Sequence, residues 1–545
     1  MNGGELFVKC LENEDVNFIF TLPGEEILDV LHYLYESPIK PIIVRHEQAA
    51  AFMADVYGRL TGKAGVCLST LGPGATNLIT GVADANLDRA PLVAITGQGE
   101  LERTHKESHQ YIDIVNTFKF ITKWNRTITR ADFIPEMVRK AFKIAQTEKM
   151  GATHLELPED IAQEETKSKP LKKTHKHSTV TPDLETIKDA ASLIRESKYP
   201  IILAGNGVIR TNASEELVKF AKVNNIPITT TFMGKGTISY KEDLALGTIG
   251  LQSKDFTICG FEKANLIITI GYDHAEYSPR FWNPNADKKI IHIDSRHSEI
   301  DEHYVTTIDL IGNIKETLKL LIKHTGFKKD TTYFFKLKKL INNELEKNKS
   351  DDSLPMKPQK ILSDVRAVLD EDDILISGVG MHKVWVARLY PAYKPNTVII
   401  SNGLASMGIS LPGAIAAKLA YPERKVVAIA GDGEFMMNVQ ELETAKRLGL
   451  SFTVVIFNDK KYAQIEWKQM KKFKKTFGIE FTNPDFVKLA ESFHVKGAKV
   501  EKANDFQEIF RGAVNSKDIW LIDVEVDSKE NMKLSESLGG LICPT

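Results

Sequence analysis

Short apolar runs rich in valine and isoleucine recur at residues 16–22, 41–44, 65–69 and 91–96, with helix-length amphipathic segments between them through about residue 160. Strand and helix alternating at this spacing predict parallel βαβ units. The pattern stops at residues 163–177, QEETKSKPLKKTHKH, which are polar, lysine-rich and without an apolar period, so a linker is expected there. It resumes from 182 to 325, with strand-like runs at 200–204, 265–271 and 288–293. A charged helix-like segment, 334–349, leads to the turn at Leu354-Pro355. A third region then carries runs at 373–377, 397–401, 425–430, 451–457 and 519–524. Three α/β domains in series are expected, over residues 1–165, 182–330 and 355–530.

Composition narrows the class. At 545 residues the chain exceeds what one core needs. Its 42% hydrophobic and 26% charged residues are ordinary globular values, which excludes global disorder and a collagen-like chain. The net charge of −1 gives no footprint for nucleic acid or an anionic membrane, so neither is expected as a partner. Residues 395–417 are the longest uncharged stretch, but Ser, Asn, Pro and Gly break it as a membrane span. Glu5, Lys9, Glu12, Glu14 and Asp15 stand where a signal peptide needs an apolar core, and a cytoplasmic protein is expected. Cys10, Cys67, Cys259 and Cys543 lie far apart with no CxxC or CxxH spacing, and read as reduced and mostly buried.

One stretch carries recognisable chemistry. The run 425–430 ends in Gly431-Asp432-Gly433, and a helix-like segment, 435–448, follows. Ligands of open parallel sheets bind at the carboxyl ends of strands, where glycines admit an anion and a helix N-terminus offers free amides. Residues 434–457 then make one helix, one turn and one strand before Asn458-Asp459, which returns the chain to the same sheet edge. Asp432 and Asp459 would lie side by side there, as oxygen ligands suited to Mg²⁺ bridging a diphosphate. Gly205-Asn206-Gly207 is half of a dinucleotide fingerprint. It lacks a third glycine and a downstream acidic partner, so NAD is rejected.

GDG followed by the spaced Asn-Asp pair resembles the metal and diphosphate motif of thiamine diphosphate enzymes. RHEQAAAFMADVYGRLTGKAGV and TLGPGATNLITGVADA are similar to the pyrimidine-binding domain of the acetohydroxyacid synthase group. IGYDHAEYSPRFWN, HIDSRHSEID and PDFVKLAESFHVKG resemble the FAD-independent catabolic acetolactate synthases most closely. The resemblance covers essentially the whole chain. It implies three doubly wound parallel-sheet α/β domains (pyrimidine-binding, central and diphosphate-binding), with each cofactor enclosed between two subunits of a homodimer or homotetramer.

The resemblance also implies roles. Glu47 matches the carboxylate that activates the aminopyrimidine, Met407 the apolar wedge beneath the cofactor, and Gly403 the carbonyl that accepts from its amino group. Pro73 and Asn77 match residues lining the pyrimidine. Gln110 matches a glutamine facing substrate. Val379, Met381 and His382 match a loop meeting the diphosphate, as do Gly431, Gly433, Glu434 and Lys461. Asp432, Asp459 and the Lys461 carbonyl match the Mg²⁺ ligands. No FAD is expected, because GYDHAEY stands where flavin-dependent relatives carry an Arg-Phe-Asp-Asp-Arg segment. The implied reaction decarboxylates one pyruvate and joins the remainder to a second, giving 2-acetolactate and CO2.

Departures from the catabolic pattern cluster around the expected substrate chamber. Glu26 stands where Lys is usual, Ala405 for Gln, Gln464 for Met and Lys468 for Gln, and Trp467 neighbours the last of these. Met381 stands for Ser, and Glu434 places a carboxylate beside the diphosphate that Lys460 and Lys461 would have to counter. Three readings follow: acetolactate synthesis, another thiamine-dependent 2-oxo acid decarboxylase or carboligase, and a cofactor-binding relative without turnover. Intact Glu47, Asp432 and Asp459 argue against the last.

Overall fold

The computed structural model describes residues 1–172, 178–250, 254–539 and 541–544, so the last five residues of the expected linker lie outside the described residues. The strands number eighteen among the described residues, in three six-stranded sheets, and all the pairings are parallel.

The first sheet contains β1 (Phe18–Thr21), β2 (Lys40–Ile43), β3 (Gly65–Ser69), β4 (Leu92–Gln98), β5 (Trp124–Thr127) and β6 (Ala152–Pro158), in the order β2-β1-β3-β4-β6-β5. The second contains β7 (Pro200–Ala204), β8 (Ile228–Thr230), β9 (Ala245–Thr248), β10 (Leu266–Ile270), β11 (Lys289–Asp294) and β12 (Ile308–Ile311), ordered β12-β11-β10-β7-β8-β9. The third contains β13 (Ile374–Ser377), β14 (Val398–Ile400), β15 (Val426–Gly431), β16 (Thr453–Asn458), β17 (Lys496–Lys499) and β18 (Trp520–Glu525), ordered β14-β13-β15-β16-β18-β17. The second order reverses direction once and the first and third twice, which makes each sheet doubly wound. Central strands such as β3, β7 and β10 are buried along their whole length. That is why they read as unbroken apolar runs: helical crossovers cover both faces of a parallel sheet.

The chain divides into two compact units. One comprises Met1–His177, Gly403–Glu423 and Phe435–Ser451 and holds the first sheet; the other comprises Ser178–Asn402, Arg424–Glu434 and Phe452–Thr545 and holds the second and third. In the first unit, the helices Glu47–Thr61 and Pro73–Leu87 pack closely. A Cβ on Gly81 would lie 2.5 Å from that of Ala51, so only glycine permits this approach. In the second unit, Leu375, Ile400, Val427, Val455 and Ile522 build the core on one face of the third sheet.

Two expectations are corrected. The helix read over 435–448 is instead a one-turn helix, Asp432–Phe435, and a separate helix, Glu441–Arg447. Buried Asn438 accounts for the break, because its amide donates to the Gly408 carbonyl at 2.8 Å and to Gln48 Oε1 at 3.1 Å. Cys259 and Cys543 are joined as a disulfide, while Cys10 and Cys67 are free and buried. The fold brings the helix Phe256–Lys263 and the C-terminal segment together across 284 residues of sequence, a proximity that no local spacing reveals. Among the described residues, no helix is long and apolar enough to cross a membrane.

Candidate active site

The third sheet changes direction between β13 and β15, and an open α/β sheet forms its ligand crevice beyond the carboxyl ends of strands at such a point. Three loops emerge there, after β13, β15 and β16. Val379 and Met381 are buried in the first, and Met381 opens the helix Met381–Leu389. His382 packs against glycines from two loops, since a Cβ on Gly380 or Gly431 would lie 2.8 or 2.9 Å from its ring. Burial lowers the His382 pKa to about 3, which keeps the ring neutral, and its Nε2 has no hydrogen-bond partner among the described residues.

The second and third loops are tied through Asp432. Its carboxylate accepts from the backbone N–H of Lys460 at 2.7 Å, from that of Gly433 at 2.8 Å and from Asn483 Nδ2 at 2.8 Å. Asn483 also donates to Asn458 Oδ1 at 3.0 Å, and Asn458 Nδ2 donates to Asp523 at 2.8 Å. Burial raises the pKa of Asp432. Burial, and then the charge of Asp432, raise that of Asp459 to about 8. Two carboxylates this close in a buried crevice repel unless one takes up a proton or a cation lies between them.

This donor set fits a hard divalent cation bound with a diphosphate. No three His, Cys, Asp or Glu side chains converge as a closed metal site among the described residues. A cation at Asp432 and Asp459 would therefore need further oxygens, of the kind that a backbone carbonyl such as that of Lys461 and a diphosphate would supply. The orphaned His382 Nε2, the amides opening its helix and the side-chain-free Gly378, Gly380, Gly431 and Gly433 suit an anion. Glu434 is buried under Gly378, where a Cβ would come within 2.5 Å of its carboxylate. The Lys461 ammonium does not counter Glu434: it pairs with Glu466 at 3.1 Å.

Beyond this crevice the helix Ala463–Phe473 carries the three residues assigned to the substrate chamber. Trp467 is buried with its Nε1 unpartnered among the described residues, Gln464 is half-buried, and Lys468 is exposed with its ammonium 4.9 Å from the Trp467 ring centre.

The remaining candidates lie in the first unit. Glu47, buried, opens the helix Glu47–Thr61, where His46 caps the N-terminus by accepting from the N–H of Gln48. Asn77 Nδ2 donates to Glu47 Oε2 at 2.9 Å. Pro73 sits exposed at the first turn of the helix Pro73–Leu87, and Gln110, with φ of 56°, backs against Gly72 with its side chain exposed. Gly403 and Met407 lie in a loop at the other end of the helix Pro73–Leu87, where the Gly403 N–H donates to Asp88 at 2.5 Å. Glu26 does not stand alone: Thr70 Oγ1 donates to it at 2.5 Å.

Comparison with known proteins decides the family. The thiamine pyrophosphate enzyme N-terminal TPP binding domain matches residues 1–117, the central domain 187–321 and the C-terminal TPP binding domain 378–524. A probable acetolactate synthase large subunit of Methanococcus aeolicus is 36% identical over 562 residues, covering 98% of this chain and 93% of that protein. The chain belongs to the acetolactate synthase family of thiamine pyrophosphate enzymes. An acetolactate synthase of Bacillus subtilis (strain 168) is 35% identical, covering 98% of this chain and 94% of its own. A catabolic acetolactate synthase of Raoultella terrigena is 32% identical, covering 98% and 97%.

Sequence reading of this family member missed two residues, one in each unit, that hydrogen-bond beside candidate residues. Asn483 joins Asp432 to Asn458, and its only signal was an Asn-Pro pair, which reads as a turn. Glu441 accepts from the Arg45 N–H at 3.0 Å, two residues before Glu47. Burial raises its pKa to about 7, although Thr444 and the N–H groups of Arg45 and His46 lower it. A glutamate in a helix-length polar stretch gives no hint of such burial.

Proposed function

We propose that this chain is an acetolactate synthase that uses thiamine diphosphate and Mg²⁺ to decarboxylate pyruvate and join the product to a second pyruvate, giving 2-acetolactate and CO2. The single observation that carries this reading is the two-carboxylate crevice at the switch point of the third sheet, in a chain whose relatives are acetolactate synthases. When bound, thiamine diphosphate supplies the carbon nucleophile and the electron sink for loss of CO2. Asp432, Asp459 and the Lys461 carbonyl hold the cation, which neutralises the diphosphate. Val379, Met381, His382, Gly431, Gly433 and Glu434 form its cradle. Glu47 holds or releases a proton at the pyrimidine ring, and Asn77 fixes the carboxylate that does so. Met407 wedges the cofactor, Gly403 offers its carbonyl, Pro73 lines the ring, and Gln110, Gln464, Trp467 and Lys468 face the substrate.

The active unit is at least a dimer on this reading, and the first unit supports it. Asn77, which holds Glu47, and Asp88, which holds Gly403, stand eleven residues apart on one helix, about 17 Å at 1.5 Å per residue. One aminopyrimidine ring is too small to touch both ends, so the Glu47 and Gly403 of one chain serve different cofactors. The domain limits 1–165, 182–330 and 355–530 belong to the same reading, with one sheet in each.

No flavin is needed. In the central sheet the Glu276 carboxylate accepts from the Asn206 N–H at 3.1 Å, at the glycine turn after β7 where a dinucleotide phosphate would seek the same amide. Incubation of the chain with pyruvate, thiamine diphosphate and Mg²⁺, with products weighed by mass spectrometry and the absorbance spectrum recorded, tests the reading. It expects 2-acetolactate and no flavin band. A different carboligation product favours the broader 2-oxo acid reading, and absence of CO2 release defeats both.

A further inference from the structure

We propose that Asp84 and Asp88, one turn apart on the helix Pro73–Leu87 and its C-cap, are positioning residues that clasp the loop carrying Gly403 and Met407. The Asp88 carboxylate accepts from the Gly403 N–H at 2.5 Å, and the Asp84 carboxylate accepts from the Ser406 N–H at 3.2 Å. Both aspartates are fully buried. The proposal rests on the functional reading above, because that reading is what makes Gly403 and Met407 cofactor contacts.

Three observations set this clasp apart from ordinary loop packing. Ala405, between the two clasped amides, has φ of 58°, a left-handed conformation that alanine rarely adopts. Such a residue persists only where its surroundings over-determine the backbone, and the carboxylates fix the chain on both sides of it. Gly403 also fits too tightly for any other residue: a Cβ there would lie 2.8 Å from Asp88 Oδ1 and from the Leu87 carbonyl oxygen. Finally, the carboxylates are themselves held. Arg59 pairs with Asp88 at 3.0 Å, and Asp55, buried on the helix Glu47–Thr61, lies against Asp84. Burial, and then the charge of Asp84, push the Asp55 pKa well up. The helix whose second turn bears Asn77, partner of Glu47, thus sets at its C-terminal end the height of the Met407 wedge.

The test uses Asp84→Ala and Asp84→Asn, because the Asn amide oxygen still accepts from Ser406 while Ala cannot. Two readouts are taken: amide hydrogen exchange at residues 403–407 in protein without cofactor, and kcat against KM for pyruvate in the loaded enzyme. In wild type the Ser406 amide should exchange more slowly than that of Leu404. Asp84→Ala should speed its exchange at least tenfold and lower kcat by about 10- to 100-fold, as an ångström-scale misplacement does, with KM changed less than about threefold. Asp84→Asn should restore both. Wild-type exchange at Ser406 as fast as at Leu404 overturns the proposal, and it does so even where Asp84→Ala fails to fold. Unchanged kcat in Asp84→Ala overturns it too, as does an equal kcat loss in both variants that tracks a fall in thermal midpoint. A wild-type chain that releases no CO2 from pyruvate defeats the functional reading, and the exchange pattern then judges the clasp alone.

Discussion

Replacing Glu47 with Gln separates catalysis from folding, because the structure makes the two consequences very different in size. The side chains are isosteric, and Gln retains one oxygen that can accept from Asn77, now 2.9 Å from Glu47 Oε2. What is lost is the extra strength of a bond to a charged acceptor, about 1 kcal/mol. The second atom meets no new obstacle, since Glu47 Oε1 already lies 3.3 Å from where a Gly74 Cβ would be and Gly74 has none. The thermal midpoint should therefore move by only a few degrees. The chemical loss is larger. A neutral amide cannot hold and return a proton, and a positioned carboxylate contributes about 10²- to 10⁴-fold to such a step, or roughly 3–5 kcal/mol of barrier. Acetolactate formation should fall by at least about a hundredfold while thiamine diphosphate binding, followed by tryptophan fluorescence, stays within a few-fold. Turnover within about threefold of wild type would refute the assignment of Glu47. An equally large loss of cofactor binding would show that the residue holds the ring rather than its proton.

Asp459→Ala should raise the thiamine diphosphate dissociation constant in the presence of Mg²⁺ by at least about tenfold; unchanged affinity by titration would place the cation elsewhere. Lys468→Gln should raise the pyruvate concentration needed for carboligation without slowing CO2 release, and equal effects on both steps, or on neither, would assign this exposed ammonium to the surface beside Trp467. Glu441, faced by Thr444, Glu443 and the backbone of Arg45 and His46, has a folded-state pKa of about 7 against an ordinary 4.5. The folded chain thus holds this proton more tightly than the unfolded one, so its contribution to stability is lost as pH rises from about 4.5 through 7. Glu441→Gln should gain on wild type by about 3 kcal/mol between pH 4.5 and pH 8 in urea unfolding, and a difference independent of pH would refute the burial argument.

What the sequence revealed follows from where each residue sits. β3, β7 and β13 are buried throughout, so their apolar runs announced them to within a residue. β5 (WNRT) and β17 (KGAK) went unread because edge strands are short and carry polar residues toward solvent. Gly431, Asp432 and Asp459 were legible because a strand, a helix and a second strand fix the distance between them in sequence. Asp84, Asp88 and Glu441 were not, because a lone acid in a helical stretch ordinarily faces water. Only the fold shows that these three accept backbone amides in the interior.

These buried acids fall into two kinds, distinguished by what their oxygens hold. Asp84, Asp88 and Glu441 spend their oxygens on backbone amides of loops that carry the proposed cofactor contacts, and Arg59 or Thr444 completes the set. Those partners lie within the chain, so these loops are set before any ligand arrives even though burial still raises the Glu441 pKa to about 7, and that is the preorganisation that a precise wedge and a precise proton carrier require. Asp432 and Asp459 differ. Asp432 does accept three hydrogen bonds from the chain, yet its charge still raises the Asp459 pKa, so the protein alone leaves the pair in conflict. A proton on Asp459 relieves that conflict, and on the proposed function a cation would replace the proton, while the diphosphate it brings would meet the free amides opening the helix Met381–Leu389. On the proposed function, the crevice of Asp432 and Asp459 would thereby gain from binding, whereas the loops around Glu47 and Gly403 would stay still during it.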